Sequence, residues 1–359
     1  MIEQSYFPTI RVQKTASQFR ATAILSLASL LNGNLMGEKK ALATESGEYL
    51  NTIDPRRLQG VRTAFVTALS SWPDHITLEM RLASVPDLTS RVRGRLSLTM
   101  IIYAWSASED QAREELIRAY LSLMPLLAAH FPEAEFLPVV PEMPFVMAAL
   151  PEKPRYALAI SRRIEDISLS NPLHKRAIGL LANVADQEKD GESIRHCFPW
   201  APSLDDWSRL LDMLMAQLDP IQLIIRLKYT ALAEVQRERL EGALRKCEEF
   251  IGTGIPYQLA LKRQAEMIRD STLTQLSSLS DASYNIGVFL VSPQSLDPAL
   301  ANVTGQAITT PRPAMASGNI YQGGFSIGEV QVTEALDAGY YYETDTYSAV
   351  EAAAAFRIP

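Results

Sequence analysis

One short motif has the spacing of a catalytic site. Residues 324–328 read GFSIG and fit GxSxG, the nucleophile elbow of α/β-hydrolases. That chemistry places the serine at a strand–turn–helix junction and needs an acid and then a histidine later in the chain. The residues after Gly328, EVQVTEAL, predict a strand, and the last histidine, His196, precedes Ser326. The pattern argues against a hydrolase and predicts that these glycines form a tight strand connection.

The residue types that bind metals are scattered along the chain. His196 and Cys197 are adjacent, and side chains of adjacent residues diverge in both extended and helical backbone. Cys197 and Cys247 form no CxxC pair, so neither a zinc site nor a disulfide framework is predicted, and a reducing cytoplasm is the expected compartment. Asp205 and Asp206 are predicted in the first turn of a helix, where its dipole favours negative charge. The four histidines form no HExxH motif: His75, His130, His174 and His196.

A nucleotide site would need a glycine loop whose amides hold phosphate, with a lysine that reaches the terminal oxygens. The sequence contains no GxxxxGK[ST] motif. Gly252 and Gly254 lack the third glycine of the dinucleotide fingerprint and are followed by Pro256. The sequence therefore predicts no catalytic, cofactor-binding or metal-binding residue, and the chain is not expected to bind or hydrolyse ATP by itself.

Nucleic acid is a further candidate ligand. The chain has 34 Lys and Arg against 41 Asp and Glu, a net charge of −7, which argues against a surface coated in nucleic acid but permits a local basic stripe. Alternating arginines on a turn can hold phosphates, although an arginine-rich turn beside acidic neighbours is more commonly a solvated turn without a ligand. The candidate contacts are Arg91, Arg93 and Arg95 on a turn, and Arg162 and Arg163 near a strand.

The elements of the first half alternate between helix and strand. Residues 17–31 are predicted as a buried helix, and Pro55 opens another, because proline is tolerated in a first helical turn. Ile76 begins the apolar pattern of HITLEMRLASVP, whose apolar residues alternate with polar ones as in a half-buried strand. A second strand is predicted at 96–106, and a capping box at Ser108 starts the helix that follows.

The second half repeats this order. A helix capped by Ser203, with Leu218 on its apolar face, precedes the strand IQLIIRLKYT. The first-half strand has Ile, Leu, Arg and Leu at 76, 78, 81 and 82, and IQLIIRLKYT has the same residues 145 positions later. Short apolar strands resemble each other by chance, but a divergent internal duplication of a two-layer unit gives the same pattern. Both explanations predict the same architecture.

These elements predict an α+β fold with two related halves of mixed sheet covered by helices, plus a short strand-rich C-terminal segment. The predicted domains are an N-terminal half at 1–130, a proline-rich connector at 131–156, a second half with long helices at 157–310, and a strand-rich tail with a bridge helix at 311–359. The long helices, near 231–250 and 257–279, carry mixed charges typical of a solvated face or, less commonly, of a partner-binding surface.

No membrane segment or secretory signal is predicted. The N-terminal residues MIEQSYFPTIRVQK lack a basic start followed by an apolar stretch. The longest uncharged apolar run, from Ala21, is shorter than the roughly 18–20 residues that a spanning helix needs. We therefore expect a cytoplasmic protein without a membrane anchor.

The run HCFPWAPSLDDWSRLLDMLMAQLDPIQLIIRLKY resembles the N-terminal region of HerA-like and conjugation-type (type IV secretion) motor ATPases. The long helices and the strand NIGVFLVS occupy the places expected in that family. The ending YSAVEAAAAFRIP is similar to the family's bridge into its ATPase domain, where an alanine-rich helix and a Phe-Arg-hydrophobic-Pro tetrapeptide precede the Walker A strand. The resemblance covers residues 196–359 and, more weakly, 72–130.

The resemblance implies a non-catalytic assembly and partner-docking module of a hexameric DNA translocase. Such motors act in DNA-end processing, conjugative transfer and anti-phage defence. A hexamer and a partner protein are implied, with DNA contacted through the motor and with ATP and Mg bound only by a motor domain. The motor residues of the family, a P-loop, a Walker B carboxylate and an arginine finger, are absent here, so no catalytic residue carries over.

A stand-alone structural or scaffold protein of a bacterial complex is the alternative. Apolar strand edges and the tyrosine-rich run at 340–342 suit a protein–protein surface. The two hypotheses differ in the expected assembly, because a ring component forms hexamers whereas a scaffold is monomeric or dimeric.

Overall fold

A computed structural model of the chain describes residues 7–30, 55–85, 95–132, 134–139, 153–168, 193–200, 207–252, 259–309 and 324–357. The strands are β1 (Arg11–Lys14), β2 (Phe19–Leu30), β3 (Ile76–Val85), β4 (Arg95–Ser106), β5 (Ala134–Pro138), β6 (Tyr156–Arg162), β7 (Ile164–Ser168), β8 (Ser193–Cys197), β9 (Ile221–Thr230), β10 (Ser283–Ser292), β11 (Phe325–Glu329) and β12 (Tyr347–Ser348). The helices are α1 (Pro55–Ala68), α2 (Glu109–His130), α3 (Ser208–Met215), α4 (Glu234–Gly252), α5 (Leu259–Asp281), α6 (Pro298–Ile308), α7 (Val332–Leu336) and α8 (Ala349–Ala355).

One large sheet joins the two halves of the chain. Its strand order is β1-β2-β4-β3-β9-β10-β6-β11, with β5 added beside β2 and β12 beside β10. Every pairing among the described strands is antiparallel. The α+β class predicted from the sequence is confirmed. The seam between the halves is the ladder of β3 with β9, which runs from Leu78–Leu227 to Ser84–Ile221.

Both faces of the central strands are buried. Alternate residues of a strand point to opposite faces, and in β9 Leu223 and Ile225 enter the main core, whereas Ile224 enters a second, smaller core. The main core contains residues of α1, α2, α3, α6 and α8, and the second contains Ala335 of α7. The half-buried strand predicted at Ile76 is therefore buried on both sides, since Thr77 and Glu79 are also inaccessible to solvent.

The register of the strands supports the internal duplication. Met80 pairs with Ile225, which is 145 positions later, so residues equivalent in the repeat face each other across the seam. This places a pseudo-twofold axis between β3 and β9. The neighbouring ladders follow the same rule: Val85 pairs with Arg95, and Thr230, again 145 positions after Val85, pairs with Ser283.

The other elements of each half follow the same pseudo-twofold symmetry. The spatial order β2-β4-β3 in the first half is mirrored by β6-β10-β9 in the second, and each of these ladders is antiparallel. Helices α1 and α3 precede the seam strands, and α2 and α6 follow the next strands. Each half is thus a strand–helix–strand–strand–helix unit, and the chain resembles a fused pair of such units.

The second half carries two additions that collect in one place. Nine residues connect β3 to β4, but 52 connect β9 to β10, and they include α4 and α5. The hairpin of β7 and β8, a separate two-stranded sheet, lies between β6 and α3 in the chain. Ile194 of β8 packs with Ala243 and Cys247 of α4 and with Ala265 and Ile268 of α5 in a core of their own. We call β7, β8, α4 and α5 the lobe, and we call the large sheet with α1, α2, α3 and α6 the body.

Two predicted helices differ in the structure. Within the helix predicted at 17–31, Phe19–Leu30 form strand β2 instead: Ala21, Ala23 and Leu25 alternate into the core and the strand pairs with β4 over eight residues. The second-half helix begins at Ser208, after Trp207, whose φ of 68° is left-handed, so Ser203 is not its cap. Leu218 lies beyond the end of this helix and is 88% exposed, contrary to its predicted burial.

Other predicted elements agree with the structure. Ser108 is the N-cap of α2, where its hydroxyl accepts a hydrogen bond from the Gln111 amide, and Pro55 is the first residue of α1. The two long helices are present as α4 and α5. The predicted connector at 131–156 includes β5, which joins the main sheet beside β2. Asp205, Asp206 and His174 lie outside the described residues. Among the residues described, no helix is long and apolar enough to cross a membrane.

Candidate functional site

The segment from Val330 to Arg357, which we call the strap, crosses from one face of the sheet to the other. Its first part includes α7 and packs Ala335 and Ala338 against the second face. Its middle part forms β12, which pairs with the start of β10. Its last part is α8, whose alanines lie in the main core on the opposite face. The strap therefore connects both layers of the protein, and two buried ionic clusters hold it.

The first cluster lies at the seam between the halves. Glu79 of β3 and Arg226 of β9 are paired in register, and their side chains form a salt bridge with no exposure to solvent. Arg226 also donates hydrogen bonds to the carbonyl oxygens of Ala335 and Tyr340, so the strap is bound to the seam. Tyr103 donates a hydrogen bond to the Glu79 carboxylate at 3.1 Å. These contacts satisfy charges that would be costly to bury alone.

The charge of Glu79 is retained despite its burial. Burial by itself raises the pKa of the Glu79 carboxyl, but the guanidinium groups of Arg81 and Arg226 outweigh that effect and hold the pKa below its ordinary value. Arg81 reaches the cluster from the same strand and also donates to the Tyr103 hydroxyl at 3.2 Å. The seam is thus held by a carboxylate between two arginines.

The second cluster is centred on Arg162, at the end of β6. Its guanidinium is fully buried, lies 2.7 Å from a Glu343 oxygen and 3.4 Å from a Glu351 oxygen, and stacks 3.8 Å from the centre of the Tyr347 ring. Glu343, Tyr347 and Glu351 all belong to the strap. The Trp200 amide donates to Glu351 at 3.1 Å. We call these five residues the Arg162 cluster.

Burial and charge act in opposite directions on the groups of this cluster. Burial by itself lowers the pKa of Arg162, but the neighbouring carboxylates of Glu343 and Glu351 help to raise it well above its ordinary value, so the guanidinium stays charged. Burial raises the pKa of the neighbouring Cys197 to about 12, although Arg162 opposes the shift. Cys197 is therefore a neutral thiol at physiological pH and not an activated nucleophile.

Helix α8 is docked tightly against the body. Ser348 caps it by accepting a hydrogen bond from the Glu351 amide, and Glu351 accepts one from the Ser348 amide, which completes a capping box. Phe356, at its end, is buried and stacks on Phe65 of α1 with ring centres 6.3 Å apart. The four consecutive residues Ala352–Ala355 have no solvent exposure, because small side chains allow the helix to lie close to its neighbours.

The lobe is also tied to the strap. Gln236 of α4 accepts hydrogen bonds from the amide and hydroxyl of Thr346, and its own amide donates to the Thr346 carbonyl. Arg239, one turn further along α4, forms an ion pair with Asp345. The strap thus contacts the body, the seam and the lobe.

One group of side chains has the residue types of a metal site. Potential ligand atoms of Cys197, Glu343 and Asp345 lie within 4.8 Å of one another and all three residues are buried. Arg162 forms an ion pair with Glu343, and Arg239 forms one with Asp345. A metal cation would therefore compete with two guanidinium groups for these carboxylates. The Cys197 thiol is also neutral. These residues do not fit a metal ion.

The GxSxG serine lies inside a strand. Ser326 is the second residue of β11 and is paired with Ser161 of β6, whose hydroxyl oxygen is 2.9 Å from its own. Its hydroxyl also donates to the Arg162 carbonyl. Of the residues after Gly328, Glu329 ends β11 and Val332–Leu336 form the short helix α7, so the strand predicted at EVQVTEAL is wrong beyond Glu329. The serine is nevertheless not at the strand-to-helix turn that a nucleophile elbow requires.

The arginines predicted to contact nucleic acid lie in different environments. Arg162 is buried among carboxylates of the strap, so it is a structural residue and not the surface phosphate contact suggested by the sequence. Arg163, the next residue, is partly exposed, forms an ion pair with Glu165 and lies over the Phe198 ring. Arg95 begins β4. Arg91 and Arg93 lie outside the described residues.

Sequence reasoning misses the residues that form the two clusters. Glu343 and Glu351 are 181 and 189 positions from Arg162, so no local pattern connects them. Strand alternation offers one signal, because consecutive arginines at a strand end cannot both face solvent on the same side. Comparison with known proteins adds no relative: no family model matches the chain, and no curated protein matches it.

Proposed function

We propose that this chain is a non-catalytic assembly and partner-docking module of a HerA-like hexameric DNA-translocating ATPase. It would act in the cytoplasm, in anti-phage defence or DNA transfer. In this proposal ATP and Mg are bound by a motor domain, DNA is contacted through the motor, and the module supplies ring contacts and a surface for a partner protein.

The observation that carries the proposal is the docking of α8. This helix and the Phe356-Arg357 pair after it are the part of the chain that resembles the bridge into an ATPase domain. Ala352–Ala355 are fully buried and Phe356 stacks on α1, so the bridge-like segment is an integral part of the body. A domain that follows such a helix would be coupled rigidly to the sheet, as force transmission in a motor requires.

The buried charges also suit a body that holds a fixed shape. Arg226 forms an ion pair with Glu79 and donates a hydrogen bond to a backbone carbonyl of the strap. Arg162 forms an ion pair with Glu343 of the strap. A buried ion pair adds little net stability, because desolvation offsets the attraction, and in some proteins such pairs specify one conformation instead. This chemistry is appropriate to a positioning module whose parts must keep their relative orientation.

Sedimentation velocity of the purified chain tests the proposal. The module predicts a species with about six times the mass of the monomer, 39.8 kDa, and a population that shifts toward the hexamer with concentration. Addition of an exposed charge at Val350, which is 42% exposed on α8, tests whether this helix face contributes to the ring. The matched control is Val235→Lys on α4, since Val235 is also exposed.

The outcome separates the proposal from its rival. A chain that remains monomeric or dimeric up to about 100 µM would contradict the hexameric module and favour a stand-alone scaffold protein of a bacterial complex. Loss of a hexamer in Val350→Lys but not in Val235→Lys would place the ring contact beside α8.

A further inference from the structure

A polar cleft of about 310 Å³ lies where the lobe joins the body. It is lined from the body by Ser161 and Arg162 at the end of β6 and by Ser326 of β11. Arg163, Ile164 and Arg195 line it from the root of the lobe, and Tyr342, Glu343 and Thr344 line it from the strap. Three parts of the protein therefore converge on one opening.

The position of the cleft is informative because the lobe has no counterpart in the first half. One of the two additions that break the pseudo-twofold symmetry contributes to the cleft, since β7 and β8 supply Ile164 and Arg195. In a duplicated fold the unit common to both halves builds the scaffold, and elements that one half alone carries are where a new function is added. Ligand sites also occur preferentially where two substructures meet.

The lining contains three arginines and one carboxylate, and two of the arginines already have acidic partners. Arg162, Arg163 and Arg195 face a single lining carboxylate, Glu343, which Arg162 already neutralises at 2.7 Å. Arg163 is paired with Glu165. Arg195 is exposed, and within the described part of the chain no carboxylate lies within 4.0 Å of it. Arg195 is thus a guanidinium available to an anion at the mouth of the cleft.

Hydroxyl donors complete the lining. Thr344 is exposed and offers one hydroxyl, whereas the Ser326 proton is already donated to the Arg162 carbonyl and the Ser161 hydroxyl lies 2.9 Å from the Ser326 oxygen. Tyr342, 40% exposed, adds a phenolic hydroxyl. Arginine with several hydroxyl donors is the set that binds phosphoryl oxygens in proteins, since the guanidinium fork matches two of them.

We propose that this cleft binds a small soluble anion that carries phosphoryl groups, with Arg195 and Arg163 as the charged contacts and Thr344 and Tyr342 as hydroxyl donors. The volume is at the lower end of the range of roughly 300–1,000 Å³ for small-molecule sites, which suits a phosphate or pyrophosphate group better than a large ligand. Glu343 and Thr344 belong to the strap, so a bound anion would fasten the strap to the lobe. The inference is independent of the motor proposal.

Calorimetric titration with inorganic pyrophosphate tests this site. The wild-type chain is expected to bind one pyrophosphate, and Arg195→Gln is expected to weaken the affinity at least about tenfold, as for the loss of a charge-assisted contact. Arg195 is exposed, so this variant should keep the wild-type melting temperature. The matched control is Arg113→Gln, an exposed arginine on α2 of the first half, which should leave the affinity unchanged.

Tyr342→Phe provides a second variant that removes one hydroxyl donor without changing charge, and a reduction of about threefold in the affinity is expected. Sodium sulfate at equal ionic strength and a 20-base-pair DNA duplex are titrated in parallel. Absence of binding up to about 10 mM pyrophosphate, or equal weakening by Arg195→Gln and Arg113→Gln, would overturn the proposal. Displacement of pyrophosphate by duplex DNA at lower concentration would assign the cleft to a nucleic-acid backbone and would also overturn it.

Discussion

The two halves of this protein share a scaffold and differ in what is added to it. The first half is close to a bare strand–helix–strand–strand–helix unit, in which β3 and β4 are joined by nine residues. The second half has the same strands in the same register, together with the lobe, and it is followed by the strap. The first half builds the same strands without these additions, so the second half is where specialised function is expected.

The difference also appears in the buried charges. The seam cluster joins equivalent strands, and Glu79 there has two arginine partners, Arg81 and Arg226. The Arg162 cluster joins the second half to the strap, and there one arginine serves two carboxylates. Removal of an arginine should therefore have unequal effects at the two places.

Loss of Arg162 is the largest expected effect. Arg162→Met leaves the buried carboxylates of Glu343 and Glu351 without their guanidinium, which should cost about 3–5 kcal/mol in the free energy of unfolding. Arg226→Met should cost at least about 1 kcal/mol less, because Arg81 still compensates Glu79. Urea denaturation measures both values. Arg118→Met, which breaks an exposed pair on α2, is the control and should change stability by less than about 1 kcal/mol.

Equal costs for Arg162→Met and Arg226→Met would contradict the distinction between the clusters. A cost below about 1 kcal/mol for Arg162→Met would show that the strap does not depend on this ion-pair network.

The root of the lobe should make stability depend on pH. Burial lowers the pKa of His196 in β8 to about 4, with Glu165 acting in the opposite direction. As the pH falls, His196 in the unfolded chain binds a proton near pH 6.5, whereas buried His196 in the folded protein stays neutral until about pH 4. The stability contributed by neutral His196 is therefore complete above pH 6.5 and is lost as the pH falls toward 4.

His196→Leu should remove that dependence. Between pH 7 and pH 4 the wild type should lose about 3 kcal/mol more unfolding free energy than the variant, since each pKa unit corresponds to about 1.4 kcal/mol. Urea denaturation over a pH series measures the difference. Identical pH profiles for wild type and variant would mean that His196 is not held neutral by burial.

Packing in the second half should respond to a single methyl group. A Cβ on Gly305 of α6 would lie closer to ring carbons of Phe325, at the start of β11, than a van der Waals contact allows. That ring is itself packed in the main core. Gly305→Ala should therefore destabilise by about 1–3 kcal/mol through overpacking, despite the better helix propensity of alanine. Thermal unfolding measures it, and an increased melting temperature would contradict the close approach of α6 and β11.

The smallest expected effect comes from glycine-to-alanine substitutions, one in the body and one in the lobe. At Gly60 in α1 and at Gly242 in α4, an added Cβ would meet no atom within 4 Å, so alanine should stabilise each helix by about 0.5–1 kcal/mol. If body and lobe unfold as one unit, both substitutions raise the global unfolding free energy equally. If Gly242→Ala protects only α4 and α5 in hydrogen exchange, the lobe opens separately from the body.

The regular elements of the scaffold can be predicted because their signals are local. An apolar run between turn signals predicts strand β9 with its observed bounds, and the spacing of Ser108 to Gln111 identifies a helix cap. Strand β2 is not predicted, since FRATAILSLASL consists largely of residues that also favour helices. Its pairing with β4 decides the conformation, and that pairing joins distant residues.

The candidate sites are less predictable for the same reason. The sequence identifies Arg162 and Arg163 as a basic pair, but their separation into one buried and one accessible residue depends on Glu343, 181 positions from Arg162. The cleft at the root of the lobe likewise needs β7, β8 and the strap to meet. The internal repeat is the most informative long-range signal, and the register of Met80 with Ile225 supports it.

Native-state hydrogen exchange of the α8 amides tests whether α8 is an integral part of the duplicated body. Amides of 352–356 should exchange with an opening free energy close to that of β3 and β9, since the helix is buried and fixed through Glu351 and Phe356. Exchange of these amides within seconds, while β3 and β9 remain protected, would show that α8 detaches readily and is not part of the body.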